Sequence, residues 1–310
     1  MDLDEFRRLP TEEIARLVRA AGPQVCVFPI NGTRRWFILE HGAKTGEDPL
    51  VTYLEVAGRR HIELYRMLFD HGLDTLLTPI FGPDILARGK GYERVIQIGL
   101  TWWAERPEFL EFYDQADVRV RVYGDARRCL EGTPYAGALD IFDEVTRRTA
   151  GHRSRRLFFG VCAQDATETV AEIAVRFYQE HSRPPNRQEI VEAYYGEYVA
   201  PVDLFIGMAP PAVFDMPLLA TGRENLYFTV APSPYLDRDT LRVILYDHLY
   251  ARRVEDEDYS DLPAEEWQRL AGFYRRHRHQ VLGVGRIGGG GRLWLPLTQT
   301  EAEGEPPDNC

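Results

Sequence analysis

The sequence predicts one α/β domain in which helices flank a mostly parallel central sheet. Short β-favouring runs alternate with helical segments along the chain, which is the order expected of a parallel sheet. No internal repeat or linker interrupts this alternation, and 310 residues with 44% hydrophobic side chains can bury one large core. The strand-like runs are 25–30, 76–81, 118–124, 156–162, 202–207 and 226–230.

The predicted strands differ in the place that they are expected to take in the sheet. The run at 25–30 is apolar throughout, as in a strand that is covered on both faces. The run at 76–81 ends in a Gly82-Pro83 turn signal. Valine alternates with arginine in the run at 118–124, so we expect a half-exposed strand at an edge of the sheet.

Apolar spacing together with start and stop signals predicts the helices between the strands. Glu12 and Glu13 give an acidic first turn, and Asn186 is expected to cap the helix that follows it. Residues 84–105 have a helical pattern that glycines and basic residues interrupt at 88–92, where we expect a loop. The other predicted helices are 3–20, 53–71, 109–115, 139–148, 167–181, 187–198, 241–250 and 264–277.

The end of the chain differs in composition from the rest. Four consecutive glycines begin at Gly288, and a polar, acidic stretch follows them to Cys310. Such a composition does not support a packed core. We therefore expect a domain over residues 1–287 and a flexible C-terminal tail over residues 288–310.

Charge and cysteine usage exclude several classes of protein. The chain has 37 basic and 48 acidic side chains and a net charge of −11, which argues against a nucleic-acid partner. Its four cysteines are far apart and form no CxxC pair, so neither a zinc site nor a disulfide framework is indicated. The first residues do not resemble a signal peptide, and no apolar run reaches the roughly 20 residues of a spanning helix. We expect a cytoplasmic protein without stable membrane insertion.

The most informative stretch is the first strand with the residues that follow it. Asn31-Gly32 is a turn signal at the carboxyl end of this strand, and Arg34 and Arg35 come directly after it. Ligands of open parallel sheets bind at this end of the strands, and guanidinium groups form forked hydrogen bonds with phosphate. The stretch therefore suits a diphosphate, but a solvated loop with two surface arginines has the same spacing. The spacing alone leaves both interpretations open.

Other chemistry-bearing residues show no specific pattern. The chain contains no GxGxxG after its first strand, no P-loop, no HExxH and no GxSxG. The histidines on helical patterns have no paired carboxylate at a telling spacing, and we interpret them as structural: His61, His71, His181 and His248. We expect the aromatic residues Trp102, Trp103, Tyr123, Tyr194 and Tyr195 to pack in the core. The alternative for them is an aromatic-lined pocket for an apolar or cationic guest.

Long motifs resemble a known family. Residues 28–36, Phe-Pro-Ile-Asn-Gly-Thr-Arg-Arg-Trp, resemble the diphosphate-binding signature of the cis-prenyltransferases. A closer resemblance is to the bacterial diterpene synthase branch of that fold, the tuberculosinol, tuberculosinyl-adenosine and kolavelool synthase group. The stretches that carry this resemblance are 27–37, 67–72, 78–81, 194–199, 226–233, 242–250 and 281–285.

This resemblance implies a homodimer with a parallel sheet and an apolar tunnel that binds an allylic diphosphate. Arg34 and Arg35 are expected to hold the diphosphate, and Asn31, Tyr53 and Tyr92 complete the expected catalytic group. Fixed guanidiniums would stabilise the departing diphosphate, while aromatic faces tolerate the positive charge left on carbon. Further substrate contacts are expected from Gly32, Thr33, Trp36 and Arg88.

The chain departs from the family pattern in two ways. Chain-elongating members have an Arg-Thr pair after the fifth strand for a second diphosphate, whereas residues 206–210 here contain no arginine, so chain elongation is not expected. Asn31 stands where both groups carry Asp, a Mg²⁺ ligand in the elongating enzymes, and Asn225 stands where those enzymes have a metal-binding Glu. The resemblance to the elongating enzymes makes Mg²⁺ an expected cofactor. Residue 31 is expected to be its ligand only if the parent protein carries Asp there.

Three interpretations of Asn31 follow, because an amide is a weak ligand for Mg²⁺ and cannot act as a base. Ionisation could rely on the arginines with little help from metal, the chain could be an engineered Asp-to-Asn variant, or catalysis could be lost. We favour the engineered variant, because the rest of the chain matches the family well.

The predicted activity is that of a diterpene synthase. It would ionise a bicyclic C20 allylic diphosphate, such as kolavenyl, tuberculosinyl or a related halimadienyl or labdadienyl diphosphate. Water would then capture the cation and give a diterpene alcohol, and a separate class II diterpene cyclase would supply the substrate. Two alternatives remain: transfer of the diterpenyl group to adenosine, and a non-catalytic partner subunit of a cis-prenyltransferase. A generic α/β enzyme for phosphate ligands is remote, because the matching stretches are long.

Overall fold

A computed structural model of the chain describes residues 1–22, 24–42, 48–86, 92–252, 263–288 and 293–297. Across these residues, six strands form one parallel sheet in the order β3-β4-β2-β1-β5-β6. This arrangement confirms the predicted α/β fold with a parallel central sheet. The strands are β1 (Val25–Val27), β2 (Thr75–Phe81), β3 (Val118–Tyr123), β4 (Arg155–Val161), β5 (Leu204–Met208) and β6 (Asn225–Thr229).

The helices of the described residues lie before, between and after these strands. They are α1 (Leu3–Arg8), α2 (Thr11–Ala20), α3 (Thr33–His41), α4 (Pro49–Asp70), α5 (Pro83–Leu86), α6 (Glu93–Gly99), α7 (Trp102–Glu105), α8 (Pro107–Gln115), α9 (Ala126–Leu130), α10 (Ala138–Arg148), α11 (Thr167–His181), α12 (Arg187–Tyr195), α13 (Arg238–Tyr246) and α14 (Ala264–His277). A 3₁₀ turn, Ser233–Tyr235, precedes α13, and one π-helical turn, Asp247–Ala251, follows it.

Apolar side chains bury both faces of the sheet. Along β1, Val25 and Val27 belong to one buried cluster, while Cys26 between them belongs to another. Successive side chains of a strand point to opposite faces, so the two clusters are the two faces of the sheet. The cluster around Cys26 is the larger one and includes side chains of α1, α2, α4, α8, α10 and α13. The cluster on the other face includes side chains of α11 and α12.

Helix boundaries depart from the predicted ones where local chemistry intervenes. The predicted helix at 3–20 is two helices, because Pro10 lacks an N–H group and stands at the N-terminal boundary of α2. Helix α4 begins four residues before the predicted start, because the Asp48 carboxylate accepts the Leu50 N–H at 3.1 Å and caps it. As predicted, Asn186 caps α12, although that helix ends at Tyr195, before Gly196 with φ +78°.

Two features concern the edge of the sheet and the C-terminus. Strand β3 is an edge strand, as its alternating pattern predicts. Gly285–Gly288 (β7) and Leu293–Pro296 (β8) form an antiparallel pair, which was not predicted and which crosses the predicted domain boundary at residue 287. Residues 289–292 and 298–310 of the predicted tail lie outside the described residues. No described helix combines the length and the apolar character needed to span a bilayer.

Candidate active site

A cavity of about 730 Å³ opens at the carboxyl ends of β1 and β2, between α3, α4 and the segment from α5 to α7. This is the edge at which open parallel sheets bind ligands. The cavity has a polar end at the turn between β1 and α3 and an apolar end toward α7 and β4. Most of the predicted site residues line it: Asn31, Gly32, Thr33, Arg34, Arg35, Tyr53 and Tyr92.

Trp36, another predicted site residue, is not part of the described lining. Trp36 is 9% exposed and packs its ring against that of His41 in the same helix, with ring centroids 5.5 Å apart. Arg88 lies outside the described residues, as does most of the loop that was predicted at 88–92. Nothing in the structure therefore places Arg88 in the site.

The turn at the polar end depends on Gly32. Its φ of +76° is in the left-handed region, which favours glycine. A Cβ at this position would lie 2.8 Å from Met208 Sδ and 2.9 Å from Pro232 Cβ, so there is also no space for a side chain. Helix α3 starts at the next residue without a side-chain cap. Its first N–H groups and its dipole thus face the cavity and favour an anion there.

Arg34 and Arg35 stand at the mouth of the cavity. Both side chains are exposed, as the solvated-loop interpretation predicts, yet both also line the cavity. Neither guanidinium has an ion pair or hydrogen bond with any of the described residues. Arg34 is near enough to the Tyr53 hydroxyl to oppose the rise in its pKa, which burial brings to about 12. The two cations are therefore available to an anionic ligand.

Hydrogen bonds from a second loop hold the Asn31 backbone. The Asn31 N–H donates to Ser233 Oγ at 3.1 Å, and its carbonyl accepts from the Ser233 N–H at 2.9 Å. The side-chain amide of Asn31 has no partner within the described part of the chain and faces the cavity. Sequence reasoning missed the role of Ser233, although it lies at the end of the matching stretch 226–233.

The inner end of the cavity is apolar and aromatic. Trp102 and Trp103 line it, and Trp103 stacks on Phe159 with ring centroids 3.9 Å apart. Both interpretations hold for these two tryptophans, because they pack in or against the core cluster and also line the cavity. Tyr123 and Tyr195 behave as predicted, because they pack on the other face of the sheet. The remaining apolar lining residues are Ile30, Ile38, Leu54, Ala57, Gly58, Pro79, Ile80, Phe81, Ile85, Val95, Gly99 and Phe109.

The donor set does not fit a resident Mg²⁺ ion. The described lining contains no carboxylate, and Asn31 offers an amide oxygen in place of the charged ligand that Mg²⁺ prefers. Across the described ranges there is no cluster of three or more His, Cys, Asp or Glu that could hold a metal. Asn225 belongs to another site: it begins β6 at the opposite edge of the sheet, with its amide 2.7 Å from His248 Nδ1.

His61 is a lining residue that sequence reasoning interpreted as structural. It lies on α4, is half-buried, and places Nε2 3.4 Å from Thr33 Oγ1. Burial lowers the pKa of His61 to about 4, so the imidazole is neutral at neutral pH. In the sequence, His61 follows Tyr53 by eight residues and precedes Tyr65 by four, which puts the three on one helix face. This spacing is the only signal that could have predicted His61 in the cavity.

The fold and the arginine-lined cavity define a protein of the cis-prenyltransferase fold class. A probable undecaprenyl diphosphate synthase from Campylobacter jejuni has this fold, with a TM-score of 0.55 and 17% identity over 76% of this chain and 98% of that one. A lavandulyl diphosphate synthase from Lavandula x intermedia, solved with dimethylallyl diphosphate, has a TM-score of 0.57 and 16% identity over 74% of this chain and 97% of that one. At these identities the similarity concerns the fold alone.

Curated relatives define the family within that fold. A tuberculosinyl adenosine transferase from Mycobacterium tuberculosis is 42% identical over 293 residues, which cover 94% of this chain and 97% of the relative. A (+)-kolavelool synthase from Herpetosiphon aurantiacus is 26% identical over 307 residues, or 97% of this chain and 98% of that relative. The chain belongs to the family of these bacterial diterpene enzymes. No protein-family model matches it.

Proposed function

We propose that the chain ionises a bicyclic C20 allylic diphosphate and transfers the resulting carbocation to water, giving a diterpene alcohol. The observation that carries this proposal is one cavity that joins two guanidiniums, unpaired among the described residues, to an aromatic, apolar interior. The volume of about 730 Å³ is within the range of small-molecule pockets. A molecule with a diphosphate group and a large apolar body matches this lining, because the diphosphate can lie at the polar mouth and the apolar body in the interior.

The mouth of the cavity suits the leaving group. When the allylic C–O bond breaks, its electron pair leaves with the diphosphate, which gains negative charge. Arg34, Arg35 and the first N–H groups of α3 are placed to stabilise that charge before the reaction begins. Each charge-assisted hydrogen bond of this kind is worth about 1.5–3 kcal/mol.

The interior suits the cation. Tyr53, Tyr92 and Trp102 line the cavity, and aromatic rings attract positive charge. Among the described residues, no charged side chain lines this inner end. Few polar groups are therefore present that could react with the carbocation before the intended acceptor does. Product identity would then depend on which carbon the acceptor can reach.

Adenosine is the alternative acceptor of the carbocation. The relative with 42% identity favours this alternative, because the name of that relative describes transfer to adenosine. Chain elongation has no such support, since residues 206–210 carry no cation for a second diphosphate. A non-catalytic subunit has no evident need for an open cavity lined by two arginines that lack an ion pair in the described part of the chain. The homodimer, the supplying class II cyclase and the cytoplasmic location remain predictions.

The proposal is tested with a panel of substrates. Kolavenyl, tuberculosinyl, halimadienyl and labdadienyl diphosphates are incubated with this chain and with its Asn31→Asp variant, with and without adenosine and Mg²⁺, and the products are identified by mass spectrometry. We expect the variant to convert at least one of them to an alcohol or an adenosine adduct, about tenfold or more faster than the parent chain, because a carboxylate restores the missing negative oxygen.

Binding provides the control for this experiment. By calorimetry, Arg34→Gln and Arg35→Gln should each weaken inorganic diphosphate binding by about 10- to 100-fold. Arg187→Gln, an exposed arginine on α12 outside this cavity, should leave that binding unchanged. If neither the parent chain nor the Asn31→Asp variant converts any C20 diphosphate, the proposed function is wrong.

A further inference from the structure

The capture of a carbocation by water leaves a proton to be removed, and the cavity offers few groups that can take it. The described lining has no carboxylate, and the Asn31 amide is not a base. Tyr53 and Tyr65 are neutral donors at neutral pH, because burial raises the pKa of Tyr53 to about 12 and also raises that of Tyr65. The imidazole of His61 is the remaining side chain in this lining with an accepting lone pair on nitrogen.

Hydrogen bonds determine which nitrogen of His61 carries that lone pair. The Thr33 hydroxyl donates its single hydrogen to the Ile30 carbonyl at 3.0 Å, so its oxygen is left to accept. His61 Nε2 lies 3.4 Å from that oxygen and is therefore the protonated nitrogen. Nδ1 is then unprotonated, and it has no hydrogen-bond partner among the described residues.

The position of the ring connects the two ends of the cavity. On one side it reaches Thr33 in the first turn of α3, next to the arginines of the mouth. On the other side its centroid is 6.4 Å from that of Tyr65, whose hydroxyl donates to Thr78 Oγ1 in the interior. A proton acceptor at this place would adjoin both the departing diphosphate and the carbon that it leaves.

The charge of the imidazole also suits this place. The titratable groups that share the cavity with it are Arg34 and Arg35 of α3, Tyr53 and Tyr65 of α4, and Tyr92 at the start of α6. Burial keeps His61 neutral near pH 7, so it does not repel a cation that forms nearby.

We infer that His61 accepts the proton released when the acceptor captures the carbocation, an inference that rests on the proposed function. The allylic C–O bond breaks, and its electron pair leaves with the diphosphate. The water oxygen then forms a new C–O bond with the cation, and the resulting oxonium transfers a proton to Nδ1 of His61. The products are a neutral alcohol, free diphosphate and an imidazolium, which returns its proton to solvent.

The experiment separates ionisation from capture. The parent chain, in excess over a C20 diphosphate that it converts, is compared with His61→Gln and His61→Ala, and both diphosphate release and the ratio of alcohol to olefin are measured. We expect diphosphate release within about threefold of the parent rate, because the arginines are intact. The alcohol-to-olefin ratio should fall at least tenfold, because the cation then loses a proton from carbon. Added imidazole should restore the alcohol in His61→Ala.

The pH profile gives a second readout. The alcohol-to-olefin ratio of the parent should fall below about pH 4, where the imidazole becomes protonated, whereas the ratio in His61→Gln should not change there. His181→Gln, on the exposed surface of α11, is the matched control and should behave as the parent. If His61→Gln is unfolded at the assay temperature, His61→Asn replaces it.

The outcomes distinguish the two proposals. An unchanged product ratio and pH profile in the His61 variants would show that the diphosphate or bulk water takes the proton, and would overturn the role of His61 alone. A parent chain that releases no diphosphate from any substrate, with an Asn31→Asp variant that also fails, would overturn the proposed function instead.

Discussion

At the scale of single residues, the side chain of Asp215 lowers the stability of this fold at neutral pH. It follows β5 in a left-handed conformation with φ 54°, and it is 8% exposed. Its backbone carbonyl accepts the Tyr123 hydroxyl at 2.7 Å, but its Oδ1 is buried without a partner in the described structure. Burial, and secondarily the charge of Asp84, raises the pKa of Asp215 to about 6. The ionised carboxylate is therefore a destabilising group at neutral pH.

We expect Asp215→Asn to stabilise the protein at pH 7 by about 2 kcal/mol. The carboxyl titrates near 3.8 in the unfolded chain and near 6 in the folded one, so the folded state binds more protons between these values. The stability that the protonated Asp215 carboxyl contributes is complete below about pH 4 and is lost as the pH rises through 6. The amide of the Asp215→Asn variant would stay neutral over this whole range. Asparagine also tolerates the left-handed conformation.

Denaturant unfolding at pH 7 and pH 4 measures this effect. The gain in free energy of unfolding should be present at pH 7 and close to zero at pH 4. Asp165→Asn is the control, because hydrogen bonds from Thr167 lower the pKa of Asp165, and it should bring no gain at pH 7. A variant with equal stability at both pH values would contradict the account of a raised pKa.

At the scale of elements, helix α4 determines the shape of the cavity. Tyr53, Ala57, His61 and Tyr65 follow one another at intervals of four, so they lie on one face of the helix and all line the cavity. Gly58 lets the helix approach the opposite wall, because a Cβ there would lie 2.9 Å from Trp102 Nε1. The width of the cavity is thus determined by the packing of α4 against α7.

The wall opposite α4 offers a test of the binding mode. Gly99 ends α6 and lines the cavity, and among the described residues a Cβ there would meet only Leu54 Cδ2 at 3.9 Å. Gly99→Leu should therefore fold normally while its side chain fills part of the cavity. We expect about a tenfold loss in affinity for a C20 diphosphate, with inorganic diphosphate bound as before, because only the apolar end is obstructed.

Calorimetry with both ligands measures this difference. Gly137→Leu is the matched control, since it precedes α10 in open space and away from the cavity, and it should bind both ligands as the parent does. Equal affinity of Gly99→Leu for the C20 diphosphate would mean that the terpenoid body does not occupy this end of the cavity.

At the scale of the whole molecule, the C-terminal elements leave apolar side chains exposed. Helix α14 contains no buried residue, and Trp267 and Phe273 are 45% and 52% exposed. Leu282 and Ile287, before and within β7, are 87% and 72% exposed. Exposed apolar groups of this size often mark a protein interface. They are consistent with the predicted homodimer.

We expect the protein to sediment at twice its chain mass of 35.7 kDa. The double substitution Leu282→Glu, Ile287→Glu should shift the protein toward the monomer, because charge in an apolar interface is costly to bury. Val175→Glu, at a position of α11 that is 58% exposed, provides the comparison and should remain dimeric. Sedimentation velocity that shows a monomer for the parent chain at all concentrations would contradict the homodimer.

Particular residues show where prediction from the sequence succeeds and where it ends. The alternation of valine and arginine in β3 and the cap at Asn186 are local signals, and both were predicted correctly. His61 and Asn225 depend on which elements pack together, and their local sequence does not report this. His61 lies in the cavity although it was interpreted as structural, and Asn225 lies on the edge strand β6, where its amide contacts His248.

The sequence by itself determined the order of strands and helices, the turn at Gly32 and the family, because these depend on local periodicity, backbone conformation and long matching motifs. Only the tertiary structure decided that Arg34 and Arg35 share a cavity with His61 and Trp102, and that this lining contains no carboxylate in its described part. The physical reason is that a cavity arises from side chains that are distant along the chain, and their meeting depends on how helices pack over the sheet.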